Sequence, residues 1–148
     1  MMNINRDQIE EIVKRVLIEK LGANKTSTPD GLVTIDVPDW NVSDADKMDT
    51  GNPEDQVYTK DFFDLTESPR LGAGLMVMKN TTFDWTLNYD EVDYVISGTL
   101  SVIGKNGTAT ARPGQIILIP KGSQIKFSAP DSARFVYITY PADWADQA

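Results

Sequence analysis

The stretch Trp85-Thr86-Leu87-Asn88-Tyr89-Asp90-Glu91-Val92-Asp93-Tyr94-Val95-Ile96-Ser97-Gly98 decides how the rest of the chain is read. It places a glutamate, Glu91, then six residues and a glycine, Gly98. A second spacing follows downstream: Gly114, five residues, Pro120, one residue, Gly122. Period-two alternation across Glu91–Val95 puts Glu91, Asp93 and Val95 on one face of a strand. If the alternation slips, Asp93 faces solvent instead. A carboxylate pair at i,i+2 on an inward face is costly unless hydrated, paired or metal-bound. Two close carboxylates also push one pKa upward, as in an acid–base pair.

Around this stretch the pattern from Leu32 onward is short strands and turns. Leu32–Val37 alternates, Gln56–Lys60 is a weaker candidate, and Leu71–Met78 is an apolar run broken by Gly72 and Gly74. Thr82–Leu87, Val92–Ser97, Leu100–Ile103, Gln115–Ile119, Gln124–Phe127 and Arg134–Thr139 complete the series. Lys105-Asn106-Gly107-Thr108 contains the Asn-Gly that favours a tight type I′ hairpin turn. The acidic, turn-rich Asp36–Glu67 reads as loop and edge structure. Many short strands at this spacing argue for a closed sandwich or barrel.

The two spacings resemble the paired motifs of the cupin family, which selects an all-β jelly-roll barrel. In that family the first motif carries His-x-His before the glutamate and the second a histidine after the glycine. Here those places hold Trp85, Leu87 and Ile125, and the chain contains no histidine. Lys79 stands where the first motif usually has a glycine. The resemblance therefore implies the barrel without its three-imidazole metal site. Trp85, Leu87 and Ile125 read as apolar filling of that cavity, or as the apolar wall of a pocket whose polar end is Glu91 and Asp93.

Composition narrows the function classes. The chain has 148 residues, enough to bury one good core. It carries 14 basic against 22 acidic residues, a net charge of −8, which argues against nucleic acid and against an anionic membrane surface. No apolar run approaches the roughly 20 residues that span a bilayer, and the N-terminus lacks the features of a signal peptide. With no cysteine there is no disulfide and no thiolate metal site. The expected setting is the cytoplasm. No transition metal is expected, and nucleophilic triads that need His or Cys are excluded.

Arg6 to Leu21 reads as an amphipathic helix, with Ile9, Ile12, Val13, Val16, Leu17 and Leu21 gathered on one face. Asn5 is its cap, Gln8 stands where a capping box wants an amide, and Gly22 supplies the stop. Polar, turn-rich residues follow. The expected organisation is a helical segment over 1–22, a flexible linker over 23–31 and a barrel over 32–148. A helix of this length is marginal alone in water, so its stripe must dock on its own barrel, on another copy or on a partner.

Tyr89, Glu91 and Asp93 are the candidate catalytic residues. Tyr89 both donates and accepts through its hydroxyl. Glu91 and Asp93 suit acid–base work or a hard cation such as Mg²⁺, which accepts one or two carboxylates plus water and substrate phosphate. Lys79 and Lys126, with Arg112 and Lys121 near the motifs, are the candidate cations for a nucleotide such as ATP.

The histidine-free run Trp85–Gly98 resembles the EutQ family of ethanolamine-utilisation cupins, over about Val57 to Pro141. This chain has a shorter region ahead of the barrel than many members. The resemblance implies association with a bacterial microcompartment and an acetate kinase-like transferase activity, interconverting acetate and ATP with acetyl phosphate and ADP. It makes residues 4–21 similar to the peptides that dock cargo onto microcompartment shell proteins, by helix-in-groove recognition. Cupins commonly form homodimers. Two competing readings stand beside the enzyme: a non-catalytic assembly or recruitment factor, and a cupin that binds a small ligand.

Overall fold

The computed structural model describes residues 4–21 and 24–147, without the side chains of residues 16–21. The chain divides into two compact units, Met1–Asn41 and Val42–Ala148.

The first unit opens with α1 (Arg6–Leu21). The backbone nitrogen of Gln8 donates to Asn5 Oδ1 at 2.8 Å, and that of Asn5 donates to Gln8 Oε1 at 3.0 Å. This reciprocal box satisfies donors that a helix start leaves orphaned. Arg6 pairs with Glu10 at 3.1 Å on the exposed surface. Ile9, Ile12 and Val13 are exposed. The stop expected at Gly22 and the side chains of Val16, Leu17 and Leu21 lie outside the described residues. The stretch read as linker holds β1 (Lys25–Ser27), which pairs antiparallel with β2 (Val33–Ile35) in the expected strand Leu32–Val37, and Gly31 turns the chain between them at φ 86°.

The second unit is the barrel. Its strands are β3 (Gln56–Asp61), β4 (Gly72–Thr86), β5 (Asp90–Gly98), β6 (Leu100–Ile103), β7 (Thr108–Ala111), β8 (Ile116–Ile119) and β9 (Gln124–Tyr140). Their pairing order is β3-β4-β9-β5-β8, and β6 joins β7 to β9. Two strands organise everything. Where the sequence suggests two pairs of short strands, 71–78 with 82–87 and 124–127 with 134–139, the structure has two long bent ones. β4 pairs with β9 from Gly72↔Thr139 to Thr86↔Gln124, with a register shift between Lys79 and Thr81. At that bulge Asn80 takes φ 46°, and Thr81 Oγ1 donates to the Lys79 carbonyl at 2.8 Å. A bulge bends the strand and raises its local twist. Beyond the bend, the first half of β9 pairs with β6 and the second half with β5. One strand thus serves both faces of the barrel.

The hairpin between β6 and β7 forms, but differently from the sequence expectation. Ile103 pairs with Thr108, and the Gly104 nitrogen donates to the Gly107 carbonyl at 2.8 Å. The turn therefore centres on Lys105-Asn106. Asn80 is the one non-glycine with positive φ among the described residues, so neither turn residue adopts the type I′ conformation. The short alternating Thr108–Ala111 was missed in sequence because only Ala111 is buried.

Inward residues of the strands form one core. Phe83, Phe127 and Phe135 stack through it, with centroids 5.5 and 6.5 Å apart, distances at which aromatic pairs add to simple burial. Leu87, Val95, Leu100 and Ile119 pack with them. Gly98 closes the β5–β6 turn at φ 76°, and a Cβ there would collide with the Ser132 carbonyl. The motif glycine is therefore demanded both by conformation and by close backbone approach.

Candidate functional site

The two sequence motifs meet on facing strands. Trp85 pairs with Ile125 across β4 and β9. Leu87 donates to Ser123 at 2.9 Å and accepts from Gly122 at 2.7 Å. Leu87 is fully buried, and Trp85 and Ile125 pack against the core from partly buried positions. The histidine places are thus filled by an apolar wall.

Glu91 and Asp93 sit on β5, the central strand between β8 and β9. Glu91 registers with Ile119 and Thr139, and Asp93 with Ile117 and Tyr137. Alternation holds, so Glu91, Asp93 and Val95 all point inward; Glu91 is 5% exposed and Asp93 0%. No described donor reaches Glu91 Oε2 or either Asp93 oxygen. Two carboxyls at i,i+2 on one strand, buried and without described donors, disfavour two negative charges side by side. Burial first, then the neighbouring Glu91 charge, raises Asp93 well above the usual carboxylate range. Burial pushes Glu91 up to about 8, partly offset by the neighbouring Asp93 carboxyl. Two carboxyls that cannot both ionise hold a proton at neutral pH.

Above the pair lies an aromatic enclosure. Trp85 Nε1 donates to the Tyr89 hydroxyl oxygen at 2.8 Å. Because that oxygen accepts from Trp85, its own O–H is left to donate elsewhere. Tyr137 donates to Asp61 Oδ1, and Gly74 makes this reach feasible: a Cβ there would collide with the Tyr137 hydroxyl and ring. Both phenols are held neutral, chiefly by burial and then by the carboxylates nearby. Trp144, on the short turn Trp144–Asp146, closes the arrangement. Its ring centroid lies 5.7 Å from Tyr89, 6.1 Å from Tyr137 and 6.4 Å from Trp85.

These four rings and Glu91 line a small cavity. Its free space is about 10 Å³ for the centre of a water molecule, room for roughly one water. Trp85, Tyr89 and Trp144 also border a wider surface depression of about 570 Å³, with Asp49, Asp84 and Asn88 on its rim. Asp61, Tyr137 and Trp144 were not anticipated. Asp61 and Tyr137 meet only through the β3–β4–β9 register, which spacing does not reveal. Trp144 stands alone among polar residues after the last strand, and that isolation was the one available signal.

The cations fall elsewhere. Lys126 bridges Asp84 at 2.9 Å on the exposed surface. Both line, with Lys105 and Trp85, a separate depression of about 470 Å³. Lys79 is exposed beside the β4 bulge, six residues along the strand from Trp85, or roughly 20 Å at 3.3 Å per residue. The structure thus joins Tyr89, Glu91 and Asp93 in one place, and sets Lys79 and Lys126 apart from it. Among the described residues, no group of three or more His, Cys, Asp or Glu could hold a metal ion.

The sequence profile of the family described as ethanolamine utilisation protein EutQ matches residues 4–146. The chain belongs to the EutQ family. A relative from Clostridioides difficile named acetate kinase EutQ is 53% identical, covering 98% of this chain and 97% of its own length. A relative of the same name from Salmonella typhimurium is 47% identical over 74 residues, half of this chain and 32% of that protein. The C. difficile EutQ structure superposes with a TM-score of 0.84 at 57% identity, covering 86% of this chain and 93% of that one. A Salmonella typhimurium structure described as a putative ethanolamine utilisation protein gives 0.73 at 34% identity, covering 81% and 94%. The cupin domain of Schizosaccharomyces pombe Cnp3, at 14% identity and a TM-score of 0.57 over 78% of this chain and 80% of that one, shows the shared cupin fold alone. No helix among the described residues is long and apolar enough to cross a membrane.

Proposed function

We propose that this EutQ-family chain is an acetate kinase-type transferase of ethanolamine utilisation, moving the γ-phosphoryl group of ATP onto acetate to give acetyl phosphate and ADP. The observation that carries this reading is the 53% identity, over nearly the whole of both chains, to a relative named acetate kinase EutQ. The unpartnered oxygens of Glu91 and Asp93 fit the requirement: they are hard donors of the kind Mg²⁺ prefers. Bound there with water and substrate phosphate, Mg²⁺ would neutralise charge on the transferring group. Glu91 and Asp93 would hold the cation as carboxylates, so binding would be favoured where neither carries a proton. Tyr89, oriented by Trp85, donates a hydrogen bond from its free hydroxyl to one acetate oxygen and leaves the other to attack the phosphorus. Lys105 is the nearest positive charge for a nucleotide's phosphates, on the separate depression beside Trp85 where Lys126 is paired with Asp84; Lys79 is the more distant candidate. A cavity with room for one water admits none of this, so the reaction requires Trp144 to withdraw.

The chain's setting in this reading is a bacterial microcompartment. The exposed Ile9, Ile12 and Val13 of α1 support docking of residues 4–21 onto a shell protein. A homodimer is supported by an exposed apolar sheet face, where Leu118, Val92 and Ile138 stand in one row and Ile116 adjoins Tyr94 in the next. The closed cavity favours a second reading, a non-catalytic assembly factor.

The test is acetyl phosphate formation by purified protein with Mg²⁺, ATP and acetate. The transferase reading expects activity in the wild type and its loss in folded Glu91→Ala. Unchanged activity in the variant removes Glu91 from the chemistry, and an inactive wild type favours the assembly factor. Deleting residues 1–21 should abolish co-fractionation with shells; retained co-fractionation sinks the targeting role.

A further inference from the structure

We propose that the aromatic enclosure above Glu91 is a binding site for the ammonium head of a small primary amine. The inference stands on the cavity itself and goes beyond the transferase reading. Its floor is a carboxylate 5% exposed, with Oε2 turned to no donor among the described residues. Its walls are Trp85, Tyr89, Tyr137 and Trp144, and no lysine or arginine is among its lining residues. Ring faces carry negative potential and attract cations, most strongly in Trp. A buried carboxylate lacking a counter-charge does the same. Both fields repel an anion, so acetate or phosphate alone is the wrong guest for this space.

Size and hydration choose among cations. The free volume holds about one water-sized group, which suits –NH₃⁺ and excludes a quaternary head. A hydrated metal ion is too large for this volume, and the ring faces that make up most of its walls offer no lone pairs to replace its water. An ammonium instead donates to Glu91 Oε2 and to the Tyr89 oxygen, while the remaining faces meet the rings. The alkyl tail leaves between Tyr89 and Trp144, towards the wider depression that both border. The amine also competes for the carboxylates that the transferase reading gives to Mg²⁺.

The experiment titrates the full chain with methylammonium, ethanolammonium, tetramethylammonium and sodium acetate. Binding is followed by calorimetry in two buffers of different ionisation heat and by the indole N–H signals of Trp85 and Trp144. No nucleotide or Mg²⁺ is present, so a failed kinase assay leaves the result untouched, and failed binding leaves the kinase reading untouched. The expected result is binding of both primary amines at about millimolar Kd or tighter, with shifts at both indoles and no response to tetramethylammonium or acetate. Glu91→Gln should weaken binding at least roughly tenfold. Trp144→Leu, which removes one ring and keeps the carboxylates, should weaken it by a smaller factor. Absence of saturable amine binding, equal binding by folded Glu91→Gln, or binding without indole shifts overturns the proposal.

Discussion

Trp85 and Tyr89 are joined by a hydrogen bond of 2.8 Å from the indole nitrogen to the phenol oxygen. Four residues apart, they tie the end of β4 to the residue just ahead of β5. Trp85 occupies a place where the cupin motif ordinarily carries an imidazole, so a metal ligand is replaced by a group that orients a proton donor. Trp85→Phe keeps the apolar wall and deletes the bond. Tyr89 then becomes free to rotate, and acetyl phosphate formation should fall about tenfold while Tm drops by only a few degrees. Steady-state rates and a thermal melt measure the two. An equal loss in both would make Trp85 merely structural.

Stability should depend on pH through the carboxyl pair. Glu91 ordinarily titrates at 4.5 and is pushed up to about 8 in the fold, so between those values the native chain holds a proton that the unfolded chain has released. Stability contributed by this group is therefore full below about 4.5 and falls as pH rises towards 8. Tyr89 and Tyr137, raised as well, stay neutral across that window. Glu91→Gln removes the titration and supplies Asp93 with an amide donor. Urea melts at several pH values should show a shallower decline in the variant, and greater stability than wild type at the alkaline end. Parallel pH profiles would show that the pair is not proton-linked to folding.

Gly74 and Tyr137 offer a packing test. A Cβ at Gly74 would collide with the Tyr137 ring and the Lys60 carbonyl, and overpacking of this kind costs about 1–3 kcal/mol. Tyr137→Phe loses only the bond to Asp61, about 1 kcal/mol net. Gly74→Ala should therefore lower Tm more than Tyr137→Phe. Differential scanning calorimetry decides the order.

The apolar face of β5, β8 and β9 gives a prediction of assembly. Leu118, 66% exposed, and Ile116, 63% exposed, lie on it. Leu118→Lys, whose side chain leaves the core untouched, should convert a dimer to a monomer in sedimentation experiments. An unchanged sedimentation coefficient would place the interface elsewhere.

Much of this architecture was legible in the chain. The spacings around Gly98 and Gly122 announced the barrel because each glycine sits at a turn that positive φ makes possible. The i,i+2 placement of Glu91 and Asp93 announced the buried pair because β alternation is rigid. Asn5 and Gln8 announced the helix cap. The long bent strands were hidden because Asn80 and Pro130 interrupt the apolar pattern where β4 parts from β3 and β9 passes from β6 to β5. The Asn-Gly signal misplaced its turn because Gly104 and Gly107 themselves form the closing pair. Trp144 and Tyr137 were unreadable as site residues, since their meeting with Tyr89 depends on tertiary register and on no local spacing.

The central claim is that Glu91 and Asp93 share a proton under the rings of Trp85, Tyr89, Tyr137 and Trp144. Carbon-13 NMR of the side-chain carboxyls, followed from acid to alkali and assigned with Glu91→Gln and Asp93→Asn, tests it most directly. The expected result is a pair in which at least one carboxyl remains protonated at about pH 7 and whose two signals move together. Independent titration of both residues near the ordinary carboxylate values would contradict it.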